Sequence, residues 1–188
     1  MLIQRKHDPF SGKWALPGGF LEMDETLKTG ALRELGEETQ IFNVKLYPVF
    51  VCGEPGRDPR GRTITQLFGA LVDSSSLNPT GADDAAEAEW FPINSLPEMA
   101  FDHQRVLFQI FSNLKWQAEI SIIGKDYFSF EAEEEKIVDL HSLVLGTKNI
   151  ESPILRGKKL GLLAPVSGHK FRYLCPDLKG PDWHPLVW

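Results

Sequence analysis

The sequence predicts a mixed α/β domain over residues 1–118 and a smaller winged-helix-like unit over residues 119–188. Three observations carry that expectation. Strand-like apolar runs alternate with helical ones as far as Trp116, the pattern of a sheet covered by helices. Past a boundary within residues 112–122, the pattern changes to two helical stretches and a short hairpin. The charge changes too: from Gly146 onward seven Lys/Arg stand against three Asp/Glu, a net of +4, while residues 1–145 carry −10, for a total of −6.

Residues 1–6 read as the end of a strand, and residues 7–12 are turn material containing Asp8, Pro9 and Gly12. Trp14, Ala15, Leu16 and Pro17 lead into Gly18 and Gly19. Residues 26–39 have helical spacing, with Leu27, Ala31 and Leu35 expected to pack inward. Asp24 and Glu25 suit the positive N-terminal end of that helix. Residues 44–52 and 64–72 read as strands, and the turn-rich loop between them holds Arg57, Arg60 and Arg62. Residues 74–88 are small and polar, then acidic, and are expected to form a mobile loop. Asp102 is expected to cap a helix from His103 to about Trp116, with Val106, Leu107, Ile110, Phe111 and Leu114 as its apolar stripe.

In the second unit, residues 133–145 read as a helix through Ile137, Leu140 and Val144, stopped by Gly146. A weaker helix over 149–163 is interrupted in pattern by Pro153, Gly157 and Gly161. Residues 164–174 read as a hairpin with a glycine turn. The tail, residues 181–188, carries Trp183 and Trp188, which need burial within the chain or on a partner.

Composition excludes several classes. The apolar fraction of 42% and charged fraction of 24% are those of a globular protein, which argues against wholesale disorder. A net charge of −6 argues against a surface that coats nucleic acid. Cys52 and Cys175, the only cysteines, have no metal-ligand spacing and fit a reduced, cytoplasmic setting. Neither a signal-peptide pattern nor an apolar run near 18 residues is present, so no membrane role is expected.

Chemistry concentrates between Gly18 and Ile41. On a helix, Glu34, Glu37 and Glu38 fall within an arc of about 100°. Like charges so placed repel, and hard divalent cations are their usual remedy. The plain alternative is a solvated acidic face. The spacing decides against that. From Gly19, five residues precede Glu25 and seven more precede Arg33-Glu34, followed by Leu35, one spacer, Glu37-Glu38, one spacer and Gln40-Ile41. This resembles the Nudix box, with Gln40 where that family has glycine, and a match at so many positions is specific. A non-glycine residue in the left-handed conformation expected there costs on the order of 1 kcal/mol.

The resemblance implies a Nudix α/β/α sandwich with a mixed sheet, lacking the strand that normally precedes the Leu2-Ile3-Gln4-Arg5 strand. It implies Mg²⁺ or Mn²⁺ held by Glu34, Glu37, Glu38 and the carbonyl of Gly18. Arg33 would orient the carboxylates and Glu25 would brace the helix start. The base would be one of these carboxylates or an acid among Asp83, Asp84 and Glu87.

Outside the box, residues 13–20, 57–60, 81–86 and 101–103 look like those of ADP-ribose pyrophosphatases. Arg57 and Arg60 would then contact the substrate phosphates, against the plainer reading of a solvated basic turn. His103 reads as structural. The C-terminal stretch, with Phe128, Leu145-Gly146, Leu160-Gly161 and Phe171-Arg172-Tyr173, resembles the winged-helix half of Nudix-related transcriptional regulators of NAD metabolism. There Pro153 and Gly157 weaken the would-be recognition helix, and Lys158, Lys159, Lys170 and Arg172 remain for phosphate contacts. The expected function is therefore metal-dependent hydrolysis of ADP-ribose or a related nucleoside diphosphate derivative to AMP and a sugar phosphate. An ADP-ribose-sensing DNA-binding regulator ranks second. A tail that serves only to form a homodimer ranks third.

Overall fold

The structure, a computed structural model, describes residues 1–120, 131–147, 152–160 and 162–173. It divides into two compact units, Met1–Ser112 and Asn113–Trp188.

The first unit contains β1 (Leu2–Arg5), β2 (Trp14–Ala15), α1 (Leu27–Thr39), β3 (Tyr47–Cys52), β4 (Thr65–Gly69), β5 (Ala85–Glu89) and the start of α2 (His103–Ile120). β1 lies between β2 and β5, antiparallel to both, with Ile3 opposite Ala15 on one side and Ala88 on the other. Ile3, Ala15, Ala85, Ala88 and Ala100 form the core of this unit, with Phe10 and Phe101 packed against it. Small residues opposite Ile3 let the chain come close on both sides.

The strands do not join into the single mixed sheet that the resemblance implies. β3 and β4 form a separate antiparallel pair, and parallel pairing among the described residues is one bridge between Trp14 and Met99. The physical reason is a gap along β4. Ile64, Thr65, Gln66, Leu67 and Phe68 all line a cavity of about 660 Å³. Neighbouring strand residues face opposite ways, so a cavity touching all of them runs along the strand's edge. Residues 15–21 line the same cavity, and no described strand fills the space.

That gap corrects a second expectation. Leu27 is exposed and Ala31 and Leu35 are only half-buried; all three line the cavity, and the buried positions of α1 are Gly30, Gly36, Glu38 and Thr39. Residues 74–88 are also more ordered than expected. They hold a 3₁₀ turn at Ser74–Ser76 and most of β5, which pairs beside β1 and whose Ala85 and Ala88 are buried. Asp102 is not a side-chain cap. Its carboxylate accepts from Arg57 and Arg105, and only its carbonyl serves α2, accepting from the Val106 amide at 3.0 Å.

The second unit contains the end of α2, then β6 (Glu131–Glu133), α3 (Glu134–Leu145), α4 (Pro153–Lys159), β7 (Leu163–Pro165) and β8 (Lys170–Tyr173). α3 ends at Gly146 with φ 69°, a left-handed stop as expected. Pro153 starts α4 and does not interrupt it: a missing amide is harmless in a first helical turn. The expected hairpin, β7–β8, gains a third strand, β6, against the other side of β8. Ala132, Ile137, Ile154, Leu163 and Phe171 close one core, and Ala118 with Leu140 closes another. Asn149, Cys175 and the tryptophan tail, residues 181–188, lie outside the described residues. No helix among the described residues is long and apolar enough to cross a membrane.

Candidate active site

α1 is a 13-residue helix capped by Thr26, whose hydroxyl accepts from the Thr29 amide at 3.2 Å. Its far end is Gln40, at φ 58° and ψ 22°, the left-handed residue that the motif expects to be glycine. The Gln40 amide donates to the Gly36 carbonyl at 3.0 Å and its side-chain amide to the same oxygen at 3.2 Å. Between these ends, the expected carboxylates come together around one cation, the side chain of Arg33.

Arg33 Nε and Nη2 donate to the two oxygens of Glu25 at 3.1 and 2.7 Å. Its Nη1 donates to Glu34 Oε1 and Glu37 Oε2, both at 2.9 Å, and Nη2 also reaches the Phe20 carbonyl at 3.2 Å. Five contacts from one guanidinium lock the acidic side of α1 to the loop before it. Hydrogen bonds and charge from Arg33 hold Glu25 below its usual range and, from the glutamates, hold Arg33 above its own. The Glu22 amide, at 2.9 Å, completes the seat of Glu25.

Glu38 faces inward. It is buried, accepts from the Gly18 amide at 2.8 Å through Oε2, and burial pushes its carboxyl up to about 7. The nearby charges of Glu34 and Asp84 push the same way. Burial raises Glu34 as well, partly offset by Arg33. Glu34 packs closely on Gly19: a β-carbon there would sit 2.3 Å from Glu34 Oε1, so the carboxylate would have to move.

These residues fit a hard divalent cation by their chemistry: three carboxylates within two turns of one helix, beside a glycine turn whose Gly18 has φ 144°, a conformation that favours glycine. In this arrangement one oxygen each of Glu34 and Glu37 is turned to Arg33 and one of Glu38 to Gly18. Among the described residues, no three acidic, histidine or cysteine side chains converge on one point as a preformed metal cage.

Arg57 and Arg60 both line the cavity that Glu34 and Glu38 line, yet each has its own carboxylate. Arg57 is half-buried with its side chain covered, donating to Asp102 at 2.9 and 3.2 Å and to the Thr65 hydroxyl at 2.7 Å. Arg60 donates to Asp58 from Nε at 3.0 and 3.2 Å and from Nη2 at 2.7 Å. The Arg60 guanidinium lowers Asp58 correspondingly. Asp58, Phe20 and Phe101 lie in stretches that the sequence singles out, but sequence reasoning assigns them no role of their own; here Asp58 pairs with Arg60, and the Phe20 and Phe101 ring centres lie 5.0 and 5.1 Å from its guanidinium carbon. His103 is structural as expected: Nδ1 accepts from the Leu16 amide at 3.0 Å, and burial lowers the ring to about 4, which keeps it neutral.

An α/β unit carrying an arginine-braced acidic helix over a glycine turn defines a protein of the Nudix class. The chain belongs to that family, since residues 1–110 match the NUDIX domain. It is 42% identical over 107 residues to an ADP-ribose pyrophosphatase from Methanocaldococcus jannaschii, covering 57% of this chain and 62% of that protein. It is 30% identical over 164 residues to the ADPR responsive transcriptional repressor NtrR of Acinetobacter baylyi, covering 85% of this chain and 65% of that one. The chain thus spans less than two thirds of either relative's length. Among solved structures, Shewanella oneidensis NrtR complexed with a 27mer DNA is 25% identical with a TM-score of 0.60, covering 93% of this chain and 84% of that one. The NUDIX domain of that protein, complexed with ADP ribose, is 31% identical with a TM-score of 0.54, covering 60% of this chain and 75% of that one.

Proposed function

We propose that this chain hydrolyses the pyrophosphate bond of ADP-ribose, or of a related nucleoside diphosphate derivative, to AMP and a sugar phosphate, using Mg²⁺ or Mn²⁺. The observation that carries the reading is the complete acidic set of the box, braced by Arg33 and seated against Gly18 and Gly19. The similarity to an ADP-ribose pyrophosphatase, and to a NUDIX domain complexed with ADP ribose, supports the choice of substrate.

Glu34, Glu37, Glu38 and the Gly18 carbonyl would hold the cation, which when bound offsets pyrophosphate charge and acidifies the attacking water. The protein's part is to supply and position that donor set. Arg33 fixes Glu34 and Glu37 and is itself fixed by Glu25. Glu38 must shed its proton to serve as a ligand, so cation affinity rises with pH up to about 7. The acid among Asp83, Asp84 and Glu87 closest in effect to Glu38 is Asp84, whose charge raises the Glu38 carboxyl. It is our candidate for the base if the box carboxylates all serve the cation.

The test is product analysis of ADP-ribose incubated with the full chain and Mg²⁺. AMP and ribose 5-phosphate in equal amounts, abolished by a chelator, are the expected result; intact ADP-ribose contradicts the reading.

A second reading has its own observation. The A. baylyi relative, a transcriptional repressor, matches 85% of this chain. On this reading residues 119–188 form a winged-helix-like domain, with Lys158, Lys159 and Lys170 exposed beside α4 and β8. Against it, Lys158 lies 4.8 Å from the Phe171 ring, and α4 is only seven residues long. Gel shifts on promoter DNA of NAD-salvage genes, with and without ADP-ribose, separate the two readings: binding that ignores sequence and ligand counts against the regulator.

A further inference from the structure

Trp14 pairs in parallel with Met99. The Trp14 amide donates to the Glu98 carbonyl at 3.2 Å, and the Ala100 amide donates to the Trp14 carbonyl at 2.7 Å. A parallel ladder would next send the Leu16 amide to the Ala100 carbonyl. That oxygen is taken. The chain turns away at Phe101, φ 52°, and the His103 amide donates to the Ala100 carbonyl at 3.3 Å as α2 begins. The His103 ring supplies the missing acceptor: its Nδ1 accepts from the Leu16 amide at 3.0 Å, which assigns the ring proton to Nε2. Burial keeps the ring neutral, and so able to accept, at neutral pH.

This bond lies one step from the seat of the acidic helix. Two residues after Leu16, the Gly18 amide donates to Glu38 Oε2 at 2.8 Å. Pro17, between them, has no amide to donate and a fixed φ, and it confines Leu16 to extended backbone. Among the described residues, these two amides make the hydrogen bonds that hold residues 16–18. One ties the stretch to the start of α2, the other to the last turn of α1. His103 is itself held through Asp102, whose carboxylate accepts from Arg57 and Arg105 and whose carbonyl accepts from the Val106 amide. A histidine that only filled the core would satisfy one buried amide and end there. This one holds the stretch that carries the Gly18 carbonyl and the donor to Glu38.

We propose that His103 is a positioning residue for the cation donors of the acidic helix: its ring sets residues 16–18, and through them the Gly18 carbonyl and the Glu38 carboxylate. It acts through Leu16 and supplies no ligand of its own. This rests on the hydrolase reading for the cation that the donors hold, and it adds a residue far outside the box on which that donor set depends.

The full chain is titrated with Mn²⁺ without substrate, the free ion being followed by electron paramagnetic resonance, as wild type, His103→Asn and His103→Leu. Urea melts establish that each is folded. An asparagine side-chain oxygen stands where Nδ1 stands and can accept from Leu16; leucine cannot. Loss of a partner that orients cation ligands predicts Mn²⁺ binding about tenfold or more weaker in His103→Leu, with His103→Asn within about threefold of the wild type. Equal affinity in folded His103→Leu and the wild type, or His103→Asn as weak as His103→Leu, would overturn the proposal. A measurement on the wild type alone covers a leucine variant that does not fold. Coupling is reciprocal, so saturating Mg²⁺ should slow hydrogen exchange of the Leu16 amide about tenfold or more, and exchange unmoved by Mg²⁺ overturns the proposal as well. AMP release from ADP-ribose is followed on the same samples. Cation binding that depends on His103, without turnover, supports the positioning role and sinks the hydrolase reading. Turnover by a wild type whose cation affinity ignores His103 does the reverse, and a wild type that binds no Mn²⁺ overturns both.

Discussion

Glu38 is the buried carboxylate of the acidic helix. Buried against the Gly18 amide, its carboxyl ionises near 7, against 4.5 for an unperturbed glutamate. Between those values the folded chain binds a proton that the unfolded chain has lost, so stability from this group falls as pH rises. His103 has the opposite sign. Its ring is lowered from 6.5 to about 4, so its contribution is complete above 6.5 and falls below it. Above about pH 6.5 the glutamate slope is opposed by that of the Met1 amine, which burial lowers from 8.0. In a chelator, urea melts should show the wild type losing about 0.8 kcal/mol relative to Glu38→Gln between about pH 6.5 and about pH 8. Glu38→Gln should lack that loss and be the more stable protein at the upper end of the range. Equal slopes for the two would contradict burial as the cause.

Among the elements, α1 was the most legible from sequence, because its chemistry is written in local spacing. Thr26 starts it, and Arg33 meets Glu37 one turn on, as helical geometry dictates. The left-handed stop at Gln40 was readable from the residue that usually stands there. Gln40→Gly should therefore raise stability, by about 1 kcal/mol less whatever its side-chain bond to Gly36 contributes. A higher urea midpoint at unchanged slope is the expected reading; a lower midpoint would mean that the side-chain bond outweighs the strain. β5 and β6 were not legible. Ala85-Ala86-Glu87-Ala88-Glu89 has little intrinsic strand preference, and its pairing with β1 lies about eighty residues away in sequence. Glu131-Ala132-Glu133 is three residues long and is a strand only because β8 is there to receive it.

At the scale of the molecule, the sequence conveyed which family to expect and not how its pieces close. Arg57 was read as open to phosphate because its partner, Asp102, comes 45 residues later. The divided sheet was likewise invisible, since an edge is defined by what fails to pair with it. The cavity beside β4 has a measurable consequence. Ile3 is fully buried among alanines, whereas Leu35 is half-buried and faces open space. Ile3→Ala should cost about 2–5 kcal/mol, while Leu35→Ala should cost less than about 2, because it enlarges a space that exists already. Equal losses in parallel urea melts would mean that the cavity is closed in solution.

The central proposal remains that the box of α1 is a working site, and its turnover can be read directly. The rate of AMP release from ADP-ribose in saturating Mg²⁺ is measured for the wild type and for Glu38→Gln, each first shown to be folded. Loss of a carboxylate that holds the cation should lower the rate about 100-fold or more. A wild type without turnover, or a Glu38→Gln variant that matches it, would contradict the claim.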